Sequence, residues 1–204
     1  MRVVAVSQRV DARPERGEMR DALDQRLTTF LLAAGYMPVP VPNNLHVETP
    51  KGHNHESLEA WLTAVSPAAI VLSGGNDIGT CVVRDLTEGW LLDHAHAKML
   101  PVLGICRGMQ MMAHWAGASL HPVVGHVRTR HLLTGKFTAE VNSFHEFALA
   151  DCPDGFDILA RSEDGEIEAI RHQTLPWEGW MWHPERETEF ASRDLLRARA
   201  LFGA

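Results

Sequence analysis

The sequence predicts an α/β fold with a mainly parallel sheet and helices on both faces, extended by antiparallel strands in the C-terminal third. Three observations predict it. Short apolar runs alternate with helix-spaced segments through the first two-thirds of the chain, and each parallel return needs such a crossover. Two of the runs, Val3–Val6 and Ala69–Leu72, consist only of aliphatic residues. From residue 118 onward the alternation gives way to short β-like pieces separated by turns.

Taken in order, the strand Val3–Val6 is followed by a predicted helix over residues 18–34, with apolar positions at Met19, Leu23, Leu27, Phe30, Leu31 and Ala34. Gly35 closes it, since a residue able to take positive φ is favoured there. Residues 36–41 (YMPVPV) read as a second strand, and the polar, turn-rich residues 42–56 as a surface loop. Helical spacing resumes at Leu58, Trp61, Leu62 and Val65, ahead of the strand Ala69–Leu72 and the turn Ser73-Gly74-Gly75-Asn76-Asp77. A helix over residues 86–98, the strand Val102–Ile105 and a helix over Met109–Trp115, ending at Gly117, complete this part. The pieces FTAEV, FALA, DILA, IEAI and GWMW then extend or flank the sheet. Trp61, Trp90 and Trp115 fit helix faces packed on a core.

The chain has 204 residues, 45% hydrophobic and 22% charged, the make-up of one globular domain spanning 1–204. No apolar run approaches the roughly 18 residues of a membrane span. The start, MRVVAVSQRV, lacks a signal-peptide core, so a cytoplasmic location is expected. Cys81, Cys106 and Cys152 form no C-x-x-C pair and are expected to be free thiols. The net charge of −7 carries no basic run, which argues against nucleic acid as a partner.

The strongest chemical signal is Gly104-Ile105-Cys106-Arg107-Gly108, a nucleophile between glycines where an apolar strand meets a helix. A sharp strand-to-helix turn of this kind holds the side chain above the carboxyl end of the sheet. The helix N-terminus favours thiolate, and the Arg107 N–H can donate to an oxyanion. A second donor can come from Gly74-Gly75-Asn76. The base that a cysteine hydrolase needs, and the group that orients it, are offered by His183-Pro184-Glu185, which follows GWMW at another predicted strand end.

Bland readings stand beside these. A cysteine in a Gly-rich turn is more often packing than catalysis, and Cys81 and Cys152 lack any comparable setting. The histidines of His53-x-His55, His94-x-His96 and the series His121, His126, His131 invite a metal. Zinc sites usually show tighter ligand sets, so no metal and no cofactor are expected.

On these residues the chain resembles the class I glutamine amidotransferase-like superfamily, and within it the γ-glutamyl-γ-aminobutyrate hydrolase branch. Ser73–Asp77, Gly104–Gln110, Val141–His145 and His183–Glu185 carry the resemblance, in the family's order. It implies a flavodoxin-like sheet and a Cys106–His183–Glu185 triad. It also implies an oxyanion hole from Gly75, Asn76 and Arg107, glutamyl recognition near Gln110, and a pocket segment containing Asn142, Ser143 and His145. His145 fits a packed support as well as a substrate contact. The segments Ser7-Gln8-Arg9, Asn142–Ala148 and Met181–Glu187 look more like the bacterial γ-glutamyl-CDP-amidate hydrolase subfamily, whose role is in surface-polysaccharide phosphoramidate biosynthesis. That likeness implies release of glutamate and cytidine diphosphoramidate, with Arg9, Arg107 and Arg186 as candidate diphosphate partners.

Three alternatives stay open: a glutaminase subunit feeding ammonia to a partner synthetase, a hydrolase of another γ-glutamyl amine, and a non-catalytic binding domain on the same fold. Otherwise the expected partner is a small γ-glutamyl substrate, with no membrane, and a homodimer is left open.

Overall fold

A computed structural model of the protein describes residues 1–45, 47–49 and 52–203. Five strands form the parallel part of the sheet: β1 (Arg2–Val6), β4 (Tyr36–Pro40), β7 (Ala69–Leu72), β8 (Val102–Ile105) and β15 (Trp177–Trp180). Their spatial order β4-β1-β7-β8-β15 reverses between β1 and β7, the flavodoxin-like arrangement. Beyond β15 the sheet continues antiparallel through β14 (Ile167–His172), β13 (Phe156–Arg161), β10 (Val127–Gly135) and β11 (Ala139–Phe144). The expected antiparallel extension is thus present in the same nine-stranded sheet.

Every residue of β7, β8 and β15 is buried, because helices cover both faces. The period of two sorts the side chains. Val4, Val6, Val71, Leu103 and Ile105 meet α1 (Gln25–Ala34) and α5 (Ser192–Phe202) through Leu27, Phe30, Leu31, Ala198 and Phe202. Ala5, Ile70, Leu72 and Val102 face the other way, onto α2 (Glu56–Val65), α3 (Val82–Lys98) and α4 (Arg107–Trp115). Gly35, in the left-handed region at φ +97°, ends α1 as expected. Among the described residues no helix is long and apolar enough to cross a membrane.

Three local expectations are corrected. The predicted helix 18–34 starts only at Gln25, where the Asp24 carboxylate accepts from the Arg26 N–H at 2.9 Å. Residues Glu18–Ala22 instead form β3, paired antiparallel with β2 (Arg9–Arg13). Left-handed Gly17 reverses the chain between them, and Met19, counted as core, is 68% exposed. The expected loop 42–56 contains a small hairpin, β5 (Val47–Thr49) and β6 (Gly52–Asn54), while its residues 46, 50 and 51 lie outside the described residues. The predicted helix 86–98 begins earlier, at Val82. Short strands β9 (Leu120–Pro122) and β12 (Phe147–Leu149) pair beside the main sheet.

Candidate active site

The carboxyl ends of β1, β7, β8 and β15 converge beside the strand-order reversal, where open α/β sheets place their ligand crevices. Cys106 follows β8 directly and caps α4 with φ +52° and ψ −108°, a conformation that L residues rarely adopt. The fold holds this strain in place. Cys106 donates its N–H to the Trp180 carbonyl at 2.7 Å and accepts from the Gln110 N–H at 3.1 Å. A side chain at Gly104 would meet Met112 Sδ at 2.5 Å, and one at Gly108 would run into the Leu72 carbonyl. The glycines around Cys106 are therefore required by the close passage of strand and helix.

His183 lies three residues past β15, with Nδ1 2.6 Å from Glu185 Oε1. A carboxylate accepts, so Nδ1 carries the hydrogen and Nε2 is left to exchange a proton. A short 3-10 turn, Pro184–Arg186, brings Glu185 back to the ring. Asn142 clamps the backbone of His183 from both sides, accepting its N–H at 2.9 Å and donating to its carbonyl at 2.8 Å. Phe144 meets the ring edge-on at 5.7 Å, and a Cβ at Gly74 would lie 2.6 Å from its Cε1. Burial alone pulls the imidazole down, but Cys106 and Glu185 outweigh it and push its pKa up to about 10.

The turn after β7 is shaped from below. Arg84, fully buried on α3, donates to the carbonyls of Ser73 at 2.7 Å, Gly74 at 3.1 Å and Gly75. The carbonyls are drawn toward Arg84, φ is +87° at Gly75 and +47° at Asn76, and the Ser73 N–H donates to Ser7 Oγ at 2.9 Å. The Asn76 side chain is tied to β2, accepting from the Val10 N–H at 2.7 Å and donating to its carbonyl at 3.1 Å. Glu88 binds Arg84 at 3.0 Å and accepts from Ser7 at 2.7 Å. Arg107 pairs with both Asp85 and Glu88 and donates to the Asn76 carbonyl at 3.1 Å. Burial lowers both guanidiniums, Arg84 to about 10 and Arg107 to about 9, so each keeps its charge at neutral pH.

A cleft of about 180 Å³ opens over Cys106, lined also by Gly75, Gln110, Phe144, His145 and His183. A second hollow of about 250 Å³ shares Gly75, His183 and Arg186 with it and adds Arg9, Asp11 and Asp24. The structure thus brings Cys106, His183, Glu185, Gly75, Arg107, Gln110, His145, Arg9 and Arg186 around two hollows that share part of their walls. Gln110 donates to the Phe147 carbonyl at 2.8 Å. Arg9 is held by Asp11 at 2.6 Å, and Arg186 lies over the Phe144 ring at 4.6 Å.

Two expectations change in kind. Asn142 and Ser143 do not line the cleft: Asn142 holds the His183 backbone, and Ser143, fully buried, donates to the His126 carbonyl at 2.7 Å. The Arg107 guanidinium is committed to Asp85 and Glu88, so it is not free for a diphosphate. Sequence reasoning did not single out Arg84 and Glu88, and it gave no role to Phe144 and Glu146, which lie in the segment Asn142–Ala148 and line the cleft. The spacing of Arg84 and Glu88 on one helix face was the available signal for that pair. Cys81, Cys106 and Cys152 are unpaired thiols.

Sheet order and a strand-end crevice define a flavodoxin-like α/β protein. Within that class, residues 41–201 match the family model for class I glutamine amidotransferases, and the chain belongs to that family of amide-hydrolysing enzymes. It is 33% identical over 135 residues to a γ-glutamyl-CDP-amidate hydrolase of Campylobacter jejuni, covering 63% of this chain and 68% of the relative. It is 34% identical over 145 residues to a subunit of the glutamine-hydrolyzing GMP synthase of Methanosarcina barkeri, covering 66% and 73%. A solved structure from Thermoplasma acidophilum, provisionally assigned as a GMP synthase subunit, superposes with TM-score 0.74 at 20% identity, covering 100% of this chain and 93% of that one. That last likeness concerns the fold.

Proposed function

We propose that the protein hydrolyses a γ-glutamyl amide bond through a Cys106–His183–Glu185 triad. The observation that carries the reading is the strained Cys106 at one parallel strand end beside a buried His183–Glu185 pair at the next. The Cys106 thiolate attacks the γ-carbonyl, forming a C–S bond and an oxyanion that the Arg107 and Gly75/Asn76 N–H groups stabilise. His183 gives its proton to the departing nitrogen as the C–N bond breaks. Water, deprotonated by His183, then cleaves the thioester to free glutamate. Glu185 fixes the imidazole tautomer and offsets its charge.

The substrate proposed is γ-glutamyl-CDP-amidate, yielding cytidine diphosphoramidate and glutamate for a phosphoramidate decoration of surface polysaccharide. Two features support it: the 33% identity to a hydrolase of that name, and a second hollow that shares Gly75, His183 and Arg186 with the cleft. The leaving nitrogen must pass His183, so the glutamyl group fits the chamber of Cys106 and Gln110, and the leaving group the chamber of Arg9 and Arg186. A second reading, a glutaminase supplying ammonia to a separate synthetase, is favoured by the likeness to the GMP synthase of Methanosarcina barkeri.

Glutamate release from glutamine, γ-glutamyl-γ-aminobutyrate and γ-glutamyl-CDP-amidate, for wild type and Cys106→Ala, tests both. Turnover of the CDP-amidate, lost in Cys106→Ala, is expected. Selective turnover of glutamine would favour the glutaminase, and release undiminished in Cys106→Ala would overturn the triad.

A further inference from the structure

Behind the cleft wall, four side chains from three parts of the chain converge. His126 precedes β10, His131 lies on it, His145 follows β11 and Glu168 is on β14. One ligand-capable atom from each lies within 4.8 Å of all the others. His126 and His145 are nearly inaccessible, at 1% and 3% exposure, and Glu168 is fully buried. The sequence expectation of no metal at the series His121, His126, His131 did not foresee this convergence.

The outer contacts fix what the inner atoms are. His145 Nδ1 is 3.0 Å from the Phe147 carbonyl, which only accepts, so Nδ1 carries the hydrogen and Nε2 a lone pair. His126 Nε2 is 2.8 Å from the Asp164 carboxylate, so the neutral ring turns a lone pair at Nδ1 inward. His126 Nδ1 and His145 Nε2 lie 3.2 Å apart, with Glu168 Oε1 at 3.5 Å from His126 and 3.3 Å from His145, so without a metal a proton on His126 must separate these acceptors. His131 Nε2 and Glu168 Oε2 are buried with no hydrogen-bond partner. Converging acceptors repel unless a cation sits among them. A single proton can bridge one pair and leaves His131 Nε2 unmet, whereas one divalent ion meets all four residues.

We infer that His126 Nδ1, His131 Nε2, His145 Nε2 and Glu168 bind a zinc ion. Bonds of about 2.0–2.1 Å directed to the corners of a tetrahedron put ligand atoms about 3.3 Å apart, close to three of the separations present. Asp164 and the Phe147 carbonyl orient the ligand rings, as outer partners do in histidine-rich metal sites. Four protein ligands leave no open position, so the ion has a structural role. It ties the β10–β11 hairpin, whose pairing with β13 is confined to Thr134 and Gly135, to β14. Because the Phe147 carbonyl also receives Gln110, and His145 lines the cleft, the same ion braces one wall of the candidate active site.

The test uses the full chain, untagged and with Cys81, Cys106 and Cys152 replaced by Ala so that no free thiol competes. After chelator treatment it is titrated with Zn(II) against a chromophoric chelator, and separately with Co(II). One equivalent of zinc with sub-micromolar affinity is expected, with the intense visible absorption of tetrahedral Co(II) and a melting temperature raised by the metal. His131→Ala should weaken binding by more than about 100-fold, and Asp164→Asn by about 10- to 100-fold. A folded parent that takes up no zinc, a Co(II) spectrum of octahedral type, or undiminished affinity in a folded His131→Ala would each overturn the inference. The Co(II) titration needs no ligand variant, so a variant that fails to fold leaves the test intact.

Discussion

Arg84→Lys separates the roles of charge and of shape beneath the Ser73–Asn76 turn. The arginine fork serves the carbonyls of Ser73, Gly74 and Gly75 together while holding Glu88. A lysine ammonium keeps the charge for Glu88 but offers its donors from a single atom and cannot span the turn. Released carbonyls let the turn rotate its N–H groups away from the proposed oxyanion position. Losing one such donor costs about 10²–10³ in kcat, so Arg84→Lys should lower kcat by about that factor with little change in KM. Arg84→Met removes one of the two guanidiniums on Glu88, leaving Arg107 and Ser7, at a site where the Arg84 and Glu88 side chains are fully buried. Breaking a buried pair costs about 3–5 kcal/mol, or roughly 6–20 °C in melting temperature for a chain of this size, an upper bound where Glu88 keeps those two partners. Steady-state glutamate release and thermal unfolding measure the two losses. A folded Arg84→Lys with wild-type kcat would refute the claim that Arg84 shapes the turn.

Gly74→Ala brings a methyl group within 2.6 Å of His183 Cε1 and should cut kcat by about 100-fold while the melting temperature changes little; unchanged kcat would mean the ring has room to move. The pH dependence follows from the raised His183 pKa of about 10. The stability from its pairing is complete below the ordinary histidine value and is lost as pH rises toward 10. In wild type the basic limb of kcat/KM should fall near pH 10, and in Glu185→Gln it should move to lower pH with a flatter alkaline loss of stability. A limb unmoved by Glu185→Gln would deny the carboxylate its influence on the ring. Asn142→Ala removes both clamps on the His183 backbone and a 2.9 Å bond to Glu187, for about 1–3 kcal/mol in urea unfolding and a reduced kcat; a raised KM with unchanged kcat would return Asn142 to substrate binding.

The parts of the fold legible in the sequence were those where burial on both sides writes itself into contiguous residues. Ala69–Leu72 and Val102–Ile105 read as strands from their length and their flanking turn residues, and helix ends such as Gly35 carry their own mark. Residues 18–22 misled because Met19 and Leu23 happen to continue the spacing of the true helix. What decides their state is pairing with Arg9–Arg13 across Gly17, which no apolar count registers. The nine-residue β10 escaped for a related reason. Its side chains are largely exposed, and its strand character comes from β11 rather than from any run of its own.

At the candidate site the same divide separates motifs from assemblies. Gly104–Gly108 and His183–Glu185 are each continuous, and their geometry is local enough to be read from residue types. Arg84, Glu88 and Arg107 act only because Ser7, Ser73 and Asn76 close over them, and those come from other stretches of chain. In sequence, Arg84 and Glu88 are an opposite-charge pair one turn apart on a helix, which on a solvated face contributes about 0.3–0.5 kcal/mol. Buried, the same pair is costly to break, at about 3–5 kcal/mol. The residue types are identical in the two cases, so only burial distinguishes an ornamental ion pair from the support of the Ser73–Asn76 turn. The unfolding energy of Arg84→Met therefore discriminates between them by up to about tenfold.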